Sequence, residues 1–236
     1  MDELHVIISG GFSLAYHNVL PEFERTTGIT VTTLSGASQG TGTKTIKYQL
    51  EQGADIDVVI LSKEGLEELV AKGRIVDGSE AGLATAPLGA AVRRGNPKPD
   101  ISNIDALKQT LLDARLLVMP GSTSGLFVKD ELLPKLAIAD KVSFKVVPRG
   151  TDSTAALAAG EADLAIGPLS ELVEQPGVDV VGPLPDTVQL VQVFTAAIVN
   201  TSHRVDQARQ LIVFLTSDRS EAAIRKSGMQ PVNHRR

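Results

Sequence analysis

Four short stretches hold most of the residues able to grip a ligand. They are Ser9-Gly10-Gly11-Phe12-Ser13, Ser35-Gly36-Ala37-Ser38-Gln39-Gly40-Thr41-Gly42-Thr43, Pro120-Gly121-Ser122-Thr123-Ser124-Gly125 and Pro148-Arg149-Gly150-Thr151-Asp152-Ser153. Each mixes glycine with serine or threonine. Glycine lets the backbone approach a ligand closely, and hydroxyls supply donors. Where such a stretch opens a helix, the first backbone N–H groups lack intrahelical acceptors and carry a partial positive charge. The chemistry this favours is the binding of an anion by neutral donors. The candidate contacts are Ser9, Gly10, Gly11 and Phe12; Ser35, Gly36, Thr41 and Thr43; Thr123, Ser124 and Gly125; and Arg149, Asp152 and Ser153. Arg149 is the cation among them, a planar fork suited to a carboxylate. Taken singly, each stretch also reads as an ordinary helix cap or turn. Their number, two in each half of the chain, is what points to a site.

Other chemistries find less support. Ser9-Gly10-Gly11 lacks the third glycine and the acidic residue of a dinucleotide fingerprint. Lys44-Thr45 ends like a phosphate-binding loop, but Thr43 and Ser38 stand where that motif needs glycine. There is no cysteine, and no histidine or carboxylate cluster has metal-ligand spacing. No metal and no cofactor is expected. His5 falls in a strand, His203 before a helix and His234 in the tail, whereas His17 lies one turn into the first helix and is a candidate proton carrier.

The elements that must position these loops follow from hydrophobic periodicity. Strands are expected at Leu4–Ile8, Ile29–Leu34 and Asp57–Leu61, alternating with helices after Gly11, over Thr43–Glu51 and over Glu64–Lys72. A second series has Ser102 capping a helix to Leu112, strands at Leu116–Met119, Val142–Val147, Ala162–Ile166 and Val178–Gly182, and helices at Ser124–Leu136 and Ser153–Ala159. Pro134 predicts a break near the end of the first of these helices, and Asp152 predicts the cap of the second. Helices over Val205–Leu215 and Ser220–Lys226 close the chain. Such alternation implies an α/β fold with mostly parallel sheets flanked by helices. Extended runs near 84–92 and 188–199 suit two crossovers. They predict lobe I from residues 1–85 and 197–236, lobe II from residues 86–196, and a ligand cleft that closes by a hinge. All four loops would then lie at the carboxyl ends of strands, where open α/β sheets bind ligands.

Composition sets limits on function. Of 236 residues, 3% are aromatic with no tryptophan, which argues against stacking platforms for nucleic acid or sugars. A formal net charge of -5 without a basic run argues against nucleic acid, and His234-Arg235-Arg236 is too short to count as one. No stretch is long and apolar enough to span a membrane. Met1-Asp2-Glu3 leads directly into a strand, so the expected location is the periplasm if a leader has been removed, and otherwise the cytoplasm.

Together these segments resemble the bacterial periplasmic molybdate-binding proteins and their wider solute-binding relatives, of the type II periplasmic binding fold. The likeness runs through FERTTGITVTTLSGASQGT, QLEQGADIDVVILS, TSGLFVKDELLPKL, AALAAGEADLAIGPLSEL and QARQLIVFLTSDRSEAAIRKSGMQP. It implies an oxyanion held by hydroxyls and backbone N–H groups of these same loops. Carried over by position, the family's first serine falls at Gly11, its second near Gly42 or Thr43, its Ala–Gly pair at Ser124-Gly125, its fourth contact near Asp152 or Ser153, and its tyrosine at Pro168. Two side-chain ligands of a molybdate site are thus absent. VRRGNPKPDISNIDALKQTLLDA and VGPLPDTVQLVQVFTAAI are similar to a subgroup that also resembles aconitate isomerase. The resemblance implies the solute-binding component of an ABC-type importer, monomeric, that takes a small oxyanion or short polycarboxylate. The alternative it admits is an isomerase of an unsaturated tricarboxylate, with glycine at 11 making room for a larger anion. For that reaction His17, Lys44 and Asp152 are the candidate bases.

Overall fold

A computed structural model describes residues 3–232. Met1-Asp2 and the His234-Arg235-Arg236 tail considered above lie outside the described residues. The chain divides into two compact units, Met1–Thr85 with Val193–Arg236, and Ala86–Gln192.

The first stretch of unit 1 runs β1 (Glu3–Ile8), α1 (Gly10–Thr27), β2 (Thr30–Ser35), α2 (Ile46–Glu51), β3 (Val58–Ser62) and α3 (Lys63–Ala71). Next, β4 (Ala81–Arg93) carries the chain into unit 2. There follow α4 (Ile104–Asp113), β5 (Leu117–Pro120), α5 (Thr123–Phe127), a π-helical turn at Val128–Leu132, α6 (Leu133–Lys135), β6 (Phe144–Val147), α7 (Gly150–Ala158), β7 (Leu164–Pro168), α8 (Leu169–Leu172) and β8 (Val178–Pro183). The return is β9 (Val191–Ile198), and unit 1 is completed by α9 (Val205–Leu215), α10 (Asp218–Lys226) and β10 (Gln230–Pro231).

In unit 1 both neighbours of β1 are parallel to it. Ile8 stands opposite Ser35 of β2 and Ile60 of β3, so these strands end near one another and their following loops leave side by side. All five residues of β3 are buried, as expected for a strand covered on both faces. On its far side β9 pairs antiparallel. Ile7, Ile46, Val59, Leu66, Leu69 and Ala197 meet in one core cluster. On α1, Phe23 packs edge-on against Phe214 of α9 at 5.5 Å between ring centres. The helix stops at Gly28, whose φ of 75° is the left-handed cap conformation and whose N–H donates to Glu24.

Asp57, fully buried just before β3, is the charged anchor of this unit. Its carboxylate accepts from the Ser202 hydroxyl at 2.6 Å, the His5 backbone N–H at 2.8 Å and Arg204 Nη1 at 3.2 Å. A buried carboxylate needs such full satisfaction.

In unit 2, β5 is parallel to β6 and β7, while β4 runs antiparallel to β7 and β8. Leu107, Leu111, Leu117, Leu132, Leu133 and Ile166 form the heart of its core.

Several local expectations are corrected here. Asn103, not Ser102, caps α4, its side chain accepting from Ala106 N–H; the backbone N–H of Ser102 is engaged by Asp100. α2 begins at Ile46 rather than Thr43, because the Thr45 hydroxyl accepts from Tyr48 N–H and fixes the cap there. Asp152 caps nothing. α7 starts at Gly150, which places Asp152 in its first turn. No break occurs at Pro134: helical backbone runs unbroken from Thr123 to Lys135, with the π turn inserted before the proline. Pro134 is the next-to-last residue of this run and follows the π turn.

Candidate functional site

In unit 1 the helix α1 begins immediately after Ser9, so Gly10, Gly11 and Phe12 are its first three residues. Their N–H groups are the ones an α-helix leaves without internal acceptors. Ser9 occupies the cap position but makes no capping bond. Its hydroxyl is buried and unpartnered among the described residues, while its backbone N–H donates to Ile60 at 2.8 Å. An orphan buried hydroxyl carries a free-energy cost, and a ligand accepting from it would remove that cost. Phe12 is fully buried, so its backbone alone is available.

Gly11 has no room for any side chain. A methyl built on it would stand 1.9 Å from Cζ of Phe194. The space expected to admit a larger anion at this position is therefore filled by the Phe194 ring, itself almost fully buried.

The second loop is tied down more than a flexible ligand loop would be. Gly36 N–H donates to Ile8, which brings Ser35 and Gly36 beside the start of α1. Ser38 is buried and its hydroxyl accepts from Ser62 N–H at 2.9 Å. A side chain on Gly65 would strike the Ser38 carbonyl, so the loop lies directly on the start of α3. Gln49 donates to the Ser35 and Lys44 carbonyls. Thr41, Thr43 and Lys44 remain exposed on the loop's outer part.

In unit 2 the third and fourth loops are joined by Gly121 N–H donating to Val147 at 2.7 Å. Thr123, Ser124 and Gly125 are buried at the start of α5. A side chain on Gly125 would overlap the Pro120 carbonyl, which explains the glycine by packing. Arg149 is not free: its guanidinium reaches both oxygens of Asp152 at 3.3 Å, an exposed pair. Ser153, by contrast, is buried with an unpartnered hydroxyl.

A fifth strand end, which sequence reasoning touched only at Pro168, completes this group. α8 follows β7 without a loop and carries Ser170 and Glu171. The Ser170 hydroxyl is buried and unpartnered among the described residues. The Glu171 carboxylate fills the side-chain space of Gly150, a methyl there standing 1.8 Å from Oε2. Among the described residues this carboxylate has no hydrogen-bond or ion-pair partner. Although the residue is only partly buried, burial of the carboxyl pushes its pKa up to about 7. Helix α7 contributes the partial positive charge of its first turn at Gly150. Phe194, Ser170 and Glu171 are the additions to the sequence-based site. A strand ending in Gly-Pro followed by Ser-Glu was the available signal for the last two.

On α1 the sequence candidate His17 and its neighbour Tyr16 are both engaged. His17 Nδ1 donates to the Ser13 carbonyl at 2.8 Å on an exposed turn of α1. Tyr16 is buried, its phenol bonded to Thr33 at 2.8 Å and pushed up to about 12 by burial. Among the described residues no group of three or more His, Cys, Asp or Glu is placed to hold a metal ion. No helix there is long and apolar enough to cross a membrane.

The sequence pattern of the bacterial extracellular solute-binding proteins matches residues 4–230. The chain belongs to that family. Within this solute-binding family, a relative described as aconitate isomerase from Pseudomonas sp is 36% identical over 232 residues, covering 97% of this chain and 88% of the relative. Two solved solute-binding proteins share the fold at low identity. The periplasmic molybdate-binding protein of Azotobacter vinelandii superposes with a TM-score of 0.75 at 19% identity, covering 98% of this chain and all of that one. A sulfate-binding protein from Mycobacterium tuberculosis superposes with a TM-score of 0.77 at 19% identity, covering 99% and 88%. The mixed α/β architecture expected from the sequence is the one these periplasmic proteins have.

Proposed function

We propose that this solute-binding protein takes an unsaturated tricarboxylate of the aconitate class and interconverts its double-bond isomers. The observation that carries the reading is the 36% identity with an aconitate isomerase along nearly the whole chain. The donor inventory fits a carboxylate-rich anion. Among the described residues the hydroxyls of Ser9, Ser153 and Ser170 have no protein partner, and the first turns of α1 and α7 offer backbone N–H groups. Ser35, Gly36, Thr41, Thr43, Thr123, Ser124 and Gly125 supply further contacts in this proposal. Arg149 exchanges Asp152 for a ligand carboxylate, a low-cost switch because an exposed ion pair is worth only ~0–1 kcal/mol. A molybdate site of the family's pattern is disfavoured by Phe194 against Gly11 and by Pro168 in place of a tyrosine.

A second reading is favoured by the family match itself: a monomeric periplasmic component that captures a small anion by hinge closure and delivers it to an ABC importer, without turnover. One experiment separates the two. Thermal shifts are measured with molybdate, tungstate, sulfate, citrate and both aconitates, and the aconitate samples are then analysed by chromatography. Stabilisation by an aconitate together with interconversion supports the first reading; stabilisation without interconversion supports the second. Stabilisation by none of these ligands rejects anion binding of either kind.

A further inference from the structure

Resting on the isomerase reading, we propose that Glu171 is the group that carries the proton in the isomerisation. Isomerising aconitate by an allylic shift needs one group that removes a proton from the methylene carbon beside the double bond and returns it to the former vinyl carbon. The broken C–H bond leaves its electron pair to form the new C=C bond. The old π pair moves onto the far carbon, with charge spread into the flanking carboxylates, and that carbon then takes the proton. One C–H bond breaks, one forms, and no electron leaves the molecule.

Geometry singles out this side chain. Glu171 sits at the start of the short helix after β7, and its carboxylate occupies the space that a side chain on Gly150 would need. Ser153 and Ser170, both with buried hydroxyls that lack protein partners, come from the same two helix starts. Those hydroxyls can hold the substrate's carboxylates, while the first turn of α7 favours the negative charge that develops. Of the alternatives, Asp152 is engaged by Arg149 and His17 by the Ser13 carbonyl, while Lys44 stands exposed on the outer part of its loop in unit 1. A carboxyl titrating near neutrality is also matched to taking and returning a proton at that pH. The charged groups on elements packed against α8 are few. Asp152 on α7 is paired with Arg149, and Asp179 on β8 faces Arg94.

The test compares the wild-type chain with Glu171→Gln in deuterium oxide with trans-aconitate. Proton NMR follows both isomerisation and loss of the methylene signal, and calorimetry on the same preparations measures binding. The wild type is expected to do all three. Glu171→Gln is expected to bind within about threefold of wild type while isomerisation and exchange fall by 100-fold or more, with circular dichroism confirming the fold. Should that variant fail to fold, the pH dependence of wild-type kcat serves instead. It is expected to rise through about pH 7, and a flat profile from about pH 6 to about pH 8 overturns the proposal. An active wild type with an equally active Glu171→Gln overturns this inference alone. A wild type that binds but neither isomerises nor exchanges overturns it together with the isomerase reading.

Discussion

The starts of α1 in unit 1 and α7 in unit 2 are built from the same part and filled differently. In each, a strand end leads into a helix whose first turn carries a glycine, beside a serine with an orphan buried hydroxyl. At Gly11 the place of the missing side chain is taken by the Phe194 ring; at Gly150 it is taken by the Glu171 carboxylate. The first is an apolar, non-titrating wall and the second an uncompensated acid. Neither glycine is there for backbone freedom, since both are helical residues with ordinary φ. The neighbour demands the glycine, and the neighbour sets the chemistry. Unit 1 thereby offers fixed donors, and unit 2 adds a group that can change its charge.

This contrast can be broken from either side. The largest effect is expected at the ring: Phe194→Ala removes an almost fully buried side chain and should cost ~3–5 kcal/mol in urea unfolding. Next comes the acid. Its carboxyl goes from 4.5 in the unfolded chain to about 7 in the folded one. Between those values the folded chain holds more protons than the unfolded chain. The contribution of Glu171 to wild-type stability should therefore be highest below about pH 4.5, fall as pH rises to about 7, and stay lower above that. Glu171→Gln lacks this slope, so against wild type it should gain ~1–3 kcal/mol between pH 4.5 and pH 8, read from denaturation at each pH. An unchanged difference across that range removes the acid side of the comparison.

Gly11→Ala should cost ~1–3 kcal/mol through overpacking. Part of that cost should return in combination with Phe194→Leu, because the two residues share one space. Gly150→Ala should cost less, since it displaces the far end of a flexible side chain rather than a packed ring. Smallest on stability are Ser9→Ala and Ser153→Ala. Among the described residues neither removes a protein hydrogen bond, and each takes away a buried hydroxyl that carries a cost, so stability in unfolding should hold or rise by up to ~1 kcal/mol, while ligand affinity falls by ~0.5–1.5 kcal/mol in calorimetry. A large stability loss in either serine variant would show that its hydroxyl serves the fold and not a ligand.

Much of the fold was legible because strands such as Val58–Ser62 and helices such as Val205–Leu215 announce themselves by apolar runs and period. Helix starts were less so. Ser102 looks like a cap, yet Asn103 takes that role, because small polar residues compete for it within a few positions, while Asp152 lies in the first turn of α7, where Arg149 holds the cap position without a capping side-chain bond. The loops at the strand ends were found from their glycines and hydroxyls. What filled those glycines was not, since Phe194 lies 183 residues beyond Gly11 and Glu171 lies 21 beyond Gly150. Such pairings arise only when the sheet brings separate strand ends together. Arg149 stood out in the sequence by its type and its loop, but its engagement with Asp152 in the first turn of α7 is a matter of side-chain geometry.

The way Gly150 and Glu171 share one volume has a consequence for how this sequence can drift. The two sites cannot vary independently. A side chain acquired at 150 displaces the acid at 171 from its present place, and the acid holds that place only while 150 remains glycine. The same bond of shape ties Gly11 to Phe194. Among natural relatives, the 150–171 pair should therefore change jointly and sort the lineage by chemistry, with those that transfer protons retaining both members and those that only carry solutes free to replace both.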